Sequence, residues 1–395
     1  MKALLLSPEL FLHEGGIARI MRLYLKALGE LAGPAGRVDS LVLNDHPERD
    51  ARLSRYTNAQ FGEQVGCARR KLRFIREAIR LGRHADVLVC GHLHHLAVAR
   101  IARLFNPRLR YYLVAHGIEV WRPYSLLEHR ALHGAHRILC ISEYTRRQML
   151  RFCPGLPPER LVIVPNTLDP HFSPTLNNRI SAAPFATPRI LTVSRLTSTD
   201  TYKGVDTLIE AMPLVRREFP LARLRIVGQG DDRPRLEALV QRLGVGFAVD
   251  FTGPISDETL RAEYAACDLF ALPSRKEGFG LVYREAMIYG KACLGARAGG
   301  TPEVITDATG QLVEYGNIPD LAAAVADLVR HPRDSEVVRR HADTFAFPSF
   351  TRRLAAAPQP FHGQLHGGDL VGPILGMFEQ AEQRLRHRTG FAVRP

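Results

Sequence analysis

Tryptophan and cysteine are scarce in this 395-residue chain, which holds one Trp and six Cys. The cysteines, at positions 67, 90, 140, 153, 267 and 293, are widely scattered with no C-x-x-C pair. That spacing encodes neither a disulfide framework nor a zinc site, and it suits a reducing cytosol. Long apolar runs are missing as well. The opening run, Met1 to Ser7, stops at Pro8 and Glu9, too brief for a signal peptide's core. No later run reaches the roughly 18 to 20 residues that span a bilayer, so a soluble or membrane-peripheral protein is expected. Acidic residues are in deficit: 53 Lys+Arg face 40 Asp+Glu, for a net charge of +13. The imbalance is local, because residues 1–170 carry 26 Lys+Arg against 15 Asp+Glu while the remainder carries 27 against 25. The front half is therefore expected to face an anionic partner, whether membrane, lipid phosphate or nucleic acid.

With 46% hydrophobic and 24% charged residues, the chain can bury full cores, and its length suits two domains. Short β-branched or leucine-rich runs alternate with stretches of helical period. In the first half, Ala3 to Leu6, Val38 to Leu43, Asp86 to Cys90, Tyr111 to Ala115, Ile138 to Ile141 and Leu161 to Val164 read as strands. Helices are predicted over Gly16 to Leu31, Gln64 to Arg83, His92 to Phe105, Tyr124 to Gly134 and Ser142 to Phe152. Strands that are almost wholly apolar are buried on both faces, which predicts a parallel sheet with helices on each side. Pro165 to Pro188 is rich in Pro, Asn and Ser and reads as a linker. The alternation then restarts, with strands expected at Arg189 to Val193, Arg223 to Val227, Val249 to Thr252, Leu269 to Leu272, Ala292 to Gly295 and Gln311 to Val313. The predicted organisation is an N-terminal doubly wound domain over 1–166, a linker over 167–188 and a second such domain over 189–346. An irregular tail follows over 347–395, in which Pro373 to His387 supplies a helix returning to the first domain. Ligands of such sheets bind beyond the strand ends, here the crevice between the domains.

Candidate chemistry gathers at those strand ends. Glu277-Gly278-Phe279-Gly280-Leu281 leads into a helix carrying Glu285, so two carboxylates stand eight residues apart around glycines that permit close backbone approach. Ionised carboxylates accept paired hydrogen bonds from vicinal diols, as in a sugar or a ribose; an ordinary turn with a capping glutamate would give the same letters. Arg195, at a strand end, and Lys203, at a helix start, put two cations at the mouth of the same sheet, where a diphosphate would collect charge-assisted hydrogen bonds; two solvated surface groups would read the same. Gly228-Gln229-Gly230 and Gly299-Gly300 read equally as ligand loops or tight turns. Gly15 and Gly16, after His13-Glu14, can present backbone N–H groups to a phosphate or simply cap a helix. Their spacing is not the G-x-G-x-x-G of dinucleotide folds. A lone histidine is ordinarily structural, but His116, followed by Gly117 at a strand end, is read toward a substrate contact, and His92, His94 and His95 as a cap or cleft lining. Arg69, Arg73, Arg76, Arg80 and Arg83 recur at helical spacing beside an apolar stripe of Val65, Ala68, Leu72, Ile75 and Ile79, which reads as an amphipathic helix packed on its own sheet with a solvated basic face, or as a face that attracts anionic lipid headgroups.

Taken in order, HEGG, AHGIEVW, ISEYT, VPN, VSRL with KG, IVGQGD, FTG, EGFGLVYRE and AGGTPEVI resemble glycosyltransferase family 4, the retaining enzymes of GT-B fold, over most of residues 1–330. The resemblance implies two Rossmann-like domains facing a cleft, with transfer of a hexose from a UDP- or GDP-linked sugar to an acceptor hydroxyl. It implies retained anomeric configuration and no metal or other cofactor. Glu277 would contact the donor sugar, Glu285 the ribose, Arg195 and Lys203 the diphosphate, and His116 the transferred sugar. Gly15, Gly16, Gly228, Gly253, Gly278, Phe279, Gly280 and Leu281 would complete the donor site. The basic first domain is similar to members acting on lipid-linked or cell-surface glycans in bacterial polysaccharide or lipopolysaccharide assembly, from the cytoplasmic face of the membrane. No nucleic acid partner is expected. A nucleotide-sugar epimerase of the same fold, or a polyanion-binding protein, are the competing readings.

Overall fold

A computed structural model describes residues 1–172 and 187–357. The first sheet contains β1 (Lys2–Ser7), β2 (Arg37–Val42), β3 (Phe61–Gly66), β4 (Val87–Cys90), β5 (Arg110–Ala115), β6 (Arg137–Cys140) and β7 (Leu161–Ile163). Its spatial order is β3-β2-β1-β4-β5-β6-β7, and every pairing is parallel. Helices α1 (Gly16–Leu31), α2 (Lys71–Gly82), α3 (Leu96–Phe105), α4 (Leu126–Gly134) and α5 (Glu143–Phe152) make the crossovers. In the second sheet, β8 (Arg189–Val193), β9 (Arg223–Val227), β10 (Val249–Gly253), β11 (Leu269–Leu272), β12 (Ala292–Ala296) and β13 (Gly310–Val313) run parallel in the order β10-β9-β8-β11-β12-β13. Around it lie α6 (Val205–Glu218), α7 (Arg233–Arg242), α8 (Asp257–Ala266), α9 (Leu281–Ile288), α10 (Ile318–Arg330) and α11 (Ser335–Asp343), and α12 (Phe347–Ala356) ends the described chain. Central strands such as β4, β11 and β12 are buried at every residue, the reason their sequences are apolar on both faces. Strand order reverses between β1 and β4 and between β8 and β11. Loops leaving those strands diverge there and open a crevice.

Two departures from the sequence reading have physical causes. Gln64 to Arg83 is not one helix: β3 occupies 61–66, and Ala68 and Arg69 adopt left-handed φ of 47° and 65° before α2 begins. Backbone bonds from Cys67 to Val42, Ala68 to Asp45 and Arg69 to Leu43 hold that turn against the end of β2. The buried face of α2 is consequently Phe74, Ala78 and Leu81, while Leu72 is 79% exposed. Residues 347–356 are likewise helical rather than irregular. Pro348 sits in the first turn of α12, where its missing N–H costs nothing. Phe347, Phe350 and Leu354 join the core of the first lobe, with Phe350 edge-on to Tyr24 of α1 at 5.0 Å. The return to the first lobe is thus made by α12; Pro373 to His387 lies outside the described residues. Among the described residues no helix is long and apolar enough to cross a membrane.

Candidate active site

The loop following β1 is held largely by side chains from outside it. Asp45 accepts the backbone N–H groups of Leu10, Phe11 and Leu12, and Glu14 is gripped by Arg22 through two bonds of 3.0 and 2.7 Å and by Arg52 at 2.5 Å. These ties deliver Gly15 as the N-cap of α1, a helix with no side-chain cap and no acidic residue in its first turn. Its leading N–H groups and the positive end of its dipole are therefore free for an anion. A Cβ on Gly15 would meet nothing within 4 Å, whereas one on Gly16 would lie 3.6 Å from Leu281 of the opposite lobe.

Across from α1, the two loops flanking the second sheet's switch point meet. Lys203 donates to Glu277 at 2.7 Å, and the other carboxylate oxygen of Glu277 accepts from the Gly280 backbone at 3.2 Å. Both side chains are mostly buried, at 19% and 13% exposure. Gly204 (φ 72°) separates Lys203 from α6, and Gly280 (φ 68°) caps α9, so both turns use a conformation that suits glycine. The glycine at 278 has a different cause: a Cβ there would run into the carbonyl of His116. The end of β5 therefore packs directly on the Glu277 loop.

His116 is held by Glu119, which accepts its backbone N–H at 2.5 Å and that of Gly117 at 3.2 Å. Its Nε2 lies 3.1 Å from the Gly91 carbonyl. Burial pulls the His116 pKa down to about 3, so the ring is neutral at ordinary pH. A carbonyl can only accept, so Nε2 carries the proton and Nδ1 is left as an acceptor.

Arg195, Glu285 and Phe279 each have partners of their own. Arg195 does not meet Lys203; it is 69% exposed and lies 2.8 Å from Asp200. Glu285 is buried and already engaged, by Arg19 of the first lobe at 2.8 Å and by Tyr264 at 3.0 Å. Phe279 is a core residue, 3% exposed and edge-on to Phe345 at 5.4 Å. Gly228 and Gly253 form a bridge at the ends of β9 and β10, and a Cβ on Gly228 would strike the Ser194 carbonyl, so backbone packing already accounts for that glycine. His92 accepts from the His94 backbone as a cap, and His95 is 4% exposed, which fits the reading of that cluster.

Other residues escaped the sequence reading. Glu303, in the AGGTPEVI stretch, accepts the backbone N–H groups of Glu143 and Tyr144 at 2.7 and 2.8 Å, capping α5 from the opposite lobe. Arg284 is fully buried, stacks on Phe279 at 4.5 Å and donates to the Asn166 carbonyl, tying the Glu277 loop to the point where the chain leaves the first lobe. Arg19 and Tyr264 carried no local signal at all.

Facing parallel α/β lobes with glycine-rich strand-end loops meeting across a crevice define the GT-B class. A family model described as Glycosyltransferase Family 4 matches residues 15–172, and one described as Glycosyl transferases group 1 matches residues 187–331. The chain belongs to this glycosyltransferase family. It is 38% identical over 154 residues to a GDP-mannose-dependent alpha-(1-6)-phosphatidylinositol monomannoside mannosyltransferase of Mycolicibacterium smegmatis, covering 37% of this chain and 40% of that protein. It is 31% identical over 246 residues to a D-inositol 3-phosphate glycosyltransferase of Geodermatophilus obscurus, covering 58% and 54%. The matches thus span roughly two fifths to one half of these curated relatives. Among solved structures, Anabaena Alr3699/HepE in complex with UDP superposes with a TM-score of 0.72 at 20% identity, covering 90% of this chain and 99% of that one. The lipopolysaccharide outer core galactosyltransferase WaaB superposes with a TM-score of 0.67 at 18% identity, covering 90% and 99%.

Proposed function

We propose that this chain is a retaining, metal-independent glycosyltransferase that moves a hexose from a nucleoside-diphosphate sugar to the hydroxyl of a lipid-linked glycan, at the inner face of a bacterial membrane. The observation that carries this reading is the Lys203–Glu277 pair at the switch point, packed beneath His116 and facing the uncapped start of α1. In the proposed complex the diphosphate lies between the α1 N-terminus and Lys203, with Arg195 at the rim. Glu277 accepts from hydroxyls of the donor sugar, His116 Nδ1 accepts from the transferred sugar, and Glu285 holds the ribose. The bond from the anomeric carbon to the phosphate oxygen breaks as the acceptor oxygen attacks on the same face, and the acceptor's proton passes to the leaving phosphate. Negative charge grows on that phosphate, and a fixed cation aimed at it is worth about 3 kcal/mol of barrier. Lys203 then does what a divalent metal would otherwise do.

GDP-mannose is the proposed donor, since the mannosyltransferase relative is more similar in sequence than the UDP-bound structures are. In a panel of GDP-mannose, UDP-glucose, UDP-galactose and ADP-glucose, GDP-mannose is expected to raise the melting temperature most. The transferred mannoside is expected to be α by NMR. No shift with any nucleotide would return the chain to the polyanion-binding reading, and nucleotide release without a new glycoside would point to an epimerase.

Membrane attachment is proposed through α2. Arg80 is committed to Glu63 and Glu77, but Arg73 and Arg76 form no ion pair among the described residues, and Leu72 stands exposed beside them. Each free basic residue near an anionic surface contributes roughly 1 kcal/mol. The triple change Leu72→Ser, Arg73→Glu, Arg76→Glu is expected to abolish sedimentation with phosphatidylglycerol vesicles while sparing the melting temperature. Undiminished sedimentation would dispose of this docking face.

A further inference from the structure

The C-terminal part of α4 and the end of α5 bring together three groups that the cleft chemistry does not use. His129 and His133 stand four residues apart on one face of α4, and Cys153 is the C-cap residue of α5. One ligand atom from each lies within 4.8 Å of the other two. Cys153 Sγ is 3.2 Å from His129 Nδ1. The rings of His129 and His133 are 6.4 Å apart between centroids and tilted by 32°. In a tetrahedral site with metal–nitrogen bonds of ~2.0–2.1 Å and metal–sulfur bonds of ~2.3 Å, ligand atoms sit about 3.3–3.6 Å apart. The His129–Cys153 pair already has that spacing. Closing the rest takes about an ångström of movement by His133, which is exposed and exchanges its two carbonyl contacts for the metal.

We propose that His129, His133 and Cys153 form a zinc site, with water completing the tetrahedron. A thiolate with two imidazoles suits Zn²⁺ or Co²⁺ and not Mg²⁺ or Ca²⁺, which take oxygen ligands. Without metal the same groups make weaker contacts: the thiol meets an imidazole, and His133 bridges the carbonyls of His129 and Gly155 at 2.9 and 3.1 Å. On binding, the Cys153 thiol gives its proton to solvent and the sulfur bonds to the metal. Because that proton is released, uptake strengthens as pH rises. Helices of a parallel α/β lobe run against its strands, so the ends of α4 and α5 lie at the strand-start edge, opposite the cleft. The site is a staple between two crossover helices and stands apart from donor binding. Cys spacing in the sequence conceals it, because the ligands come from two helices about twenty residues apart.

The test is Co²⁺ titration of the metal-stripped full chain. One equivalent is expected to produce a thiolate-to-cobalt charge-transfer band that Zn²⁺ then displaces, and saturating Zn²⁺ is expected to raise the melting temperature by several degrees. Cys153→Ser and His133→Ala should each remove the band and the thermal shift; circular dichroism of the metal-free variants checks folding. Should Cys153→Ser fold poorly, His133→Ala, at an exposed position, carries the test alone. A wild-type chain without the band, or a band that persists in the folded variants, overturns the proposal.

Discussion

Lys203→Met is expected to lower kcat by about 10²–10³-fold, the loss associated with removing one electrostatic contact to a developing charge, and Glu277→Gln, which removes the ion-pair partner that fixes Lys203, is expected to lower it comparably. The two side chains contact each other at 2.7 Å and are both mostly buried. Either single change therefore leaves the other charge without its partner. Breaking a fully buried pair costs about 3–5 kcal/mol, and the residual exposure here reduces that to ~1–3 kcal/mol. A drop in melting temperature of several degrees should thus accompany each loss of activity. The double variant Lys203→Met, Glu277→Gln separates the two effects, because it removes both charges at similar volume: its melting temperature is expected to recover toward wild type while its kcat does not. Recovery of kcat together with stability would mean that the pair serves packing alone. The measurement is steady-state transfer from GDP-mannose beside thermal unfolding of all three variants.

How legible these residues were depends on the range of their contacts. Glu277, Lys203 and the surrounding glycines could be read because their loops follow strongly apolar strands, β8 and β11, and precede long periodic helices such as α6. Periodicity also placed α1 at its observed limits, since its buried Ile20, Met21, Tyr24, Ala27 and Leu28 recur at helical spacing. By contrast β3 reads Phe-Gly-Glu-Gln-Val-Gly and lies at a sheet edge with most residues half-buried, so neither alternation nor a solid apolar run betrays it. The α12 helix was hidden by Pro348, which a first-turn position tolerates. Contacts between lobes left no trace in spacing. Arg19 and Glu285 are 266 positions apart, and Glu303 caps a helix some 160 residues earlier. Sequence pattern records local periodicity and turn chemistry; pairing across a crevice is decided by where the lobes meet.

Glu285→Ala is expected to cut donor affinity and stability together, and the two losses can be told apart. Its carboxylate accepts Arg19 on one oxygen and Tyr264 on the other. An ionised carboxylate offers about four acceptor sites, so one remains on each oxygen, matching the two hydroxyls of a ribose. Arg19 thus need not leave for the donor to bind; it fixes the carboxylate and joins α1 to α9 across the crevice. Removing Glu285 strands a largely buried guanidinium and the Tyr264 hydroxyl, at a cost of about 2–4 kcal/mol. It also raises the KM for donor by roughly 100-fold or more if two charge-assisted bonds to the ribose, each worth about 1.5 kcal/mol or more, are lost. Arg19→Gln should give a comparable fall in melting temperature with a smaller rise in KM, since the carboxylate survives. The donor's 2′-deoxy analogue resolves the ribose role: wild type and Arg19→Gln are expected to bind it several-fold more weakly than the ribose form, whereas Glu285→Ala should treat the two alike. Equal discrimination by all three proteins would remove Glu285 from the donor site and leave it as a tie between the lobes.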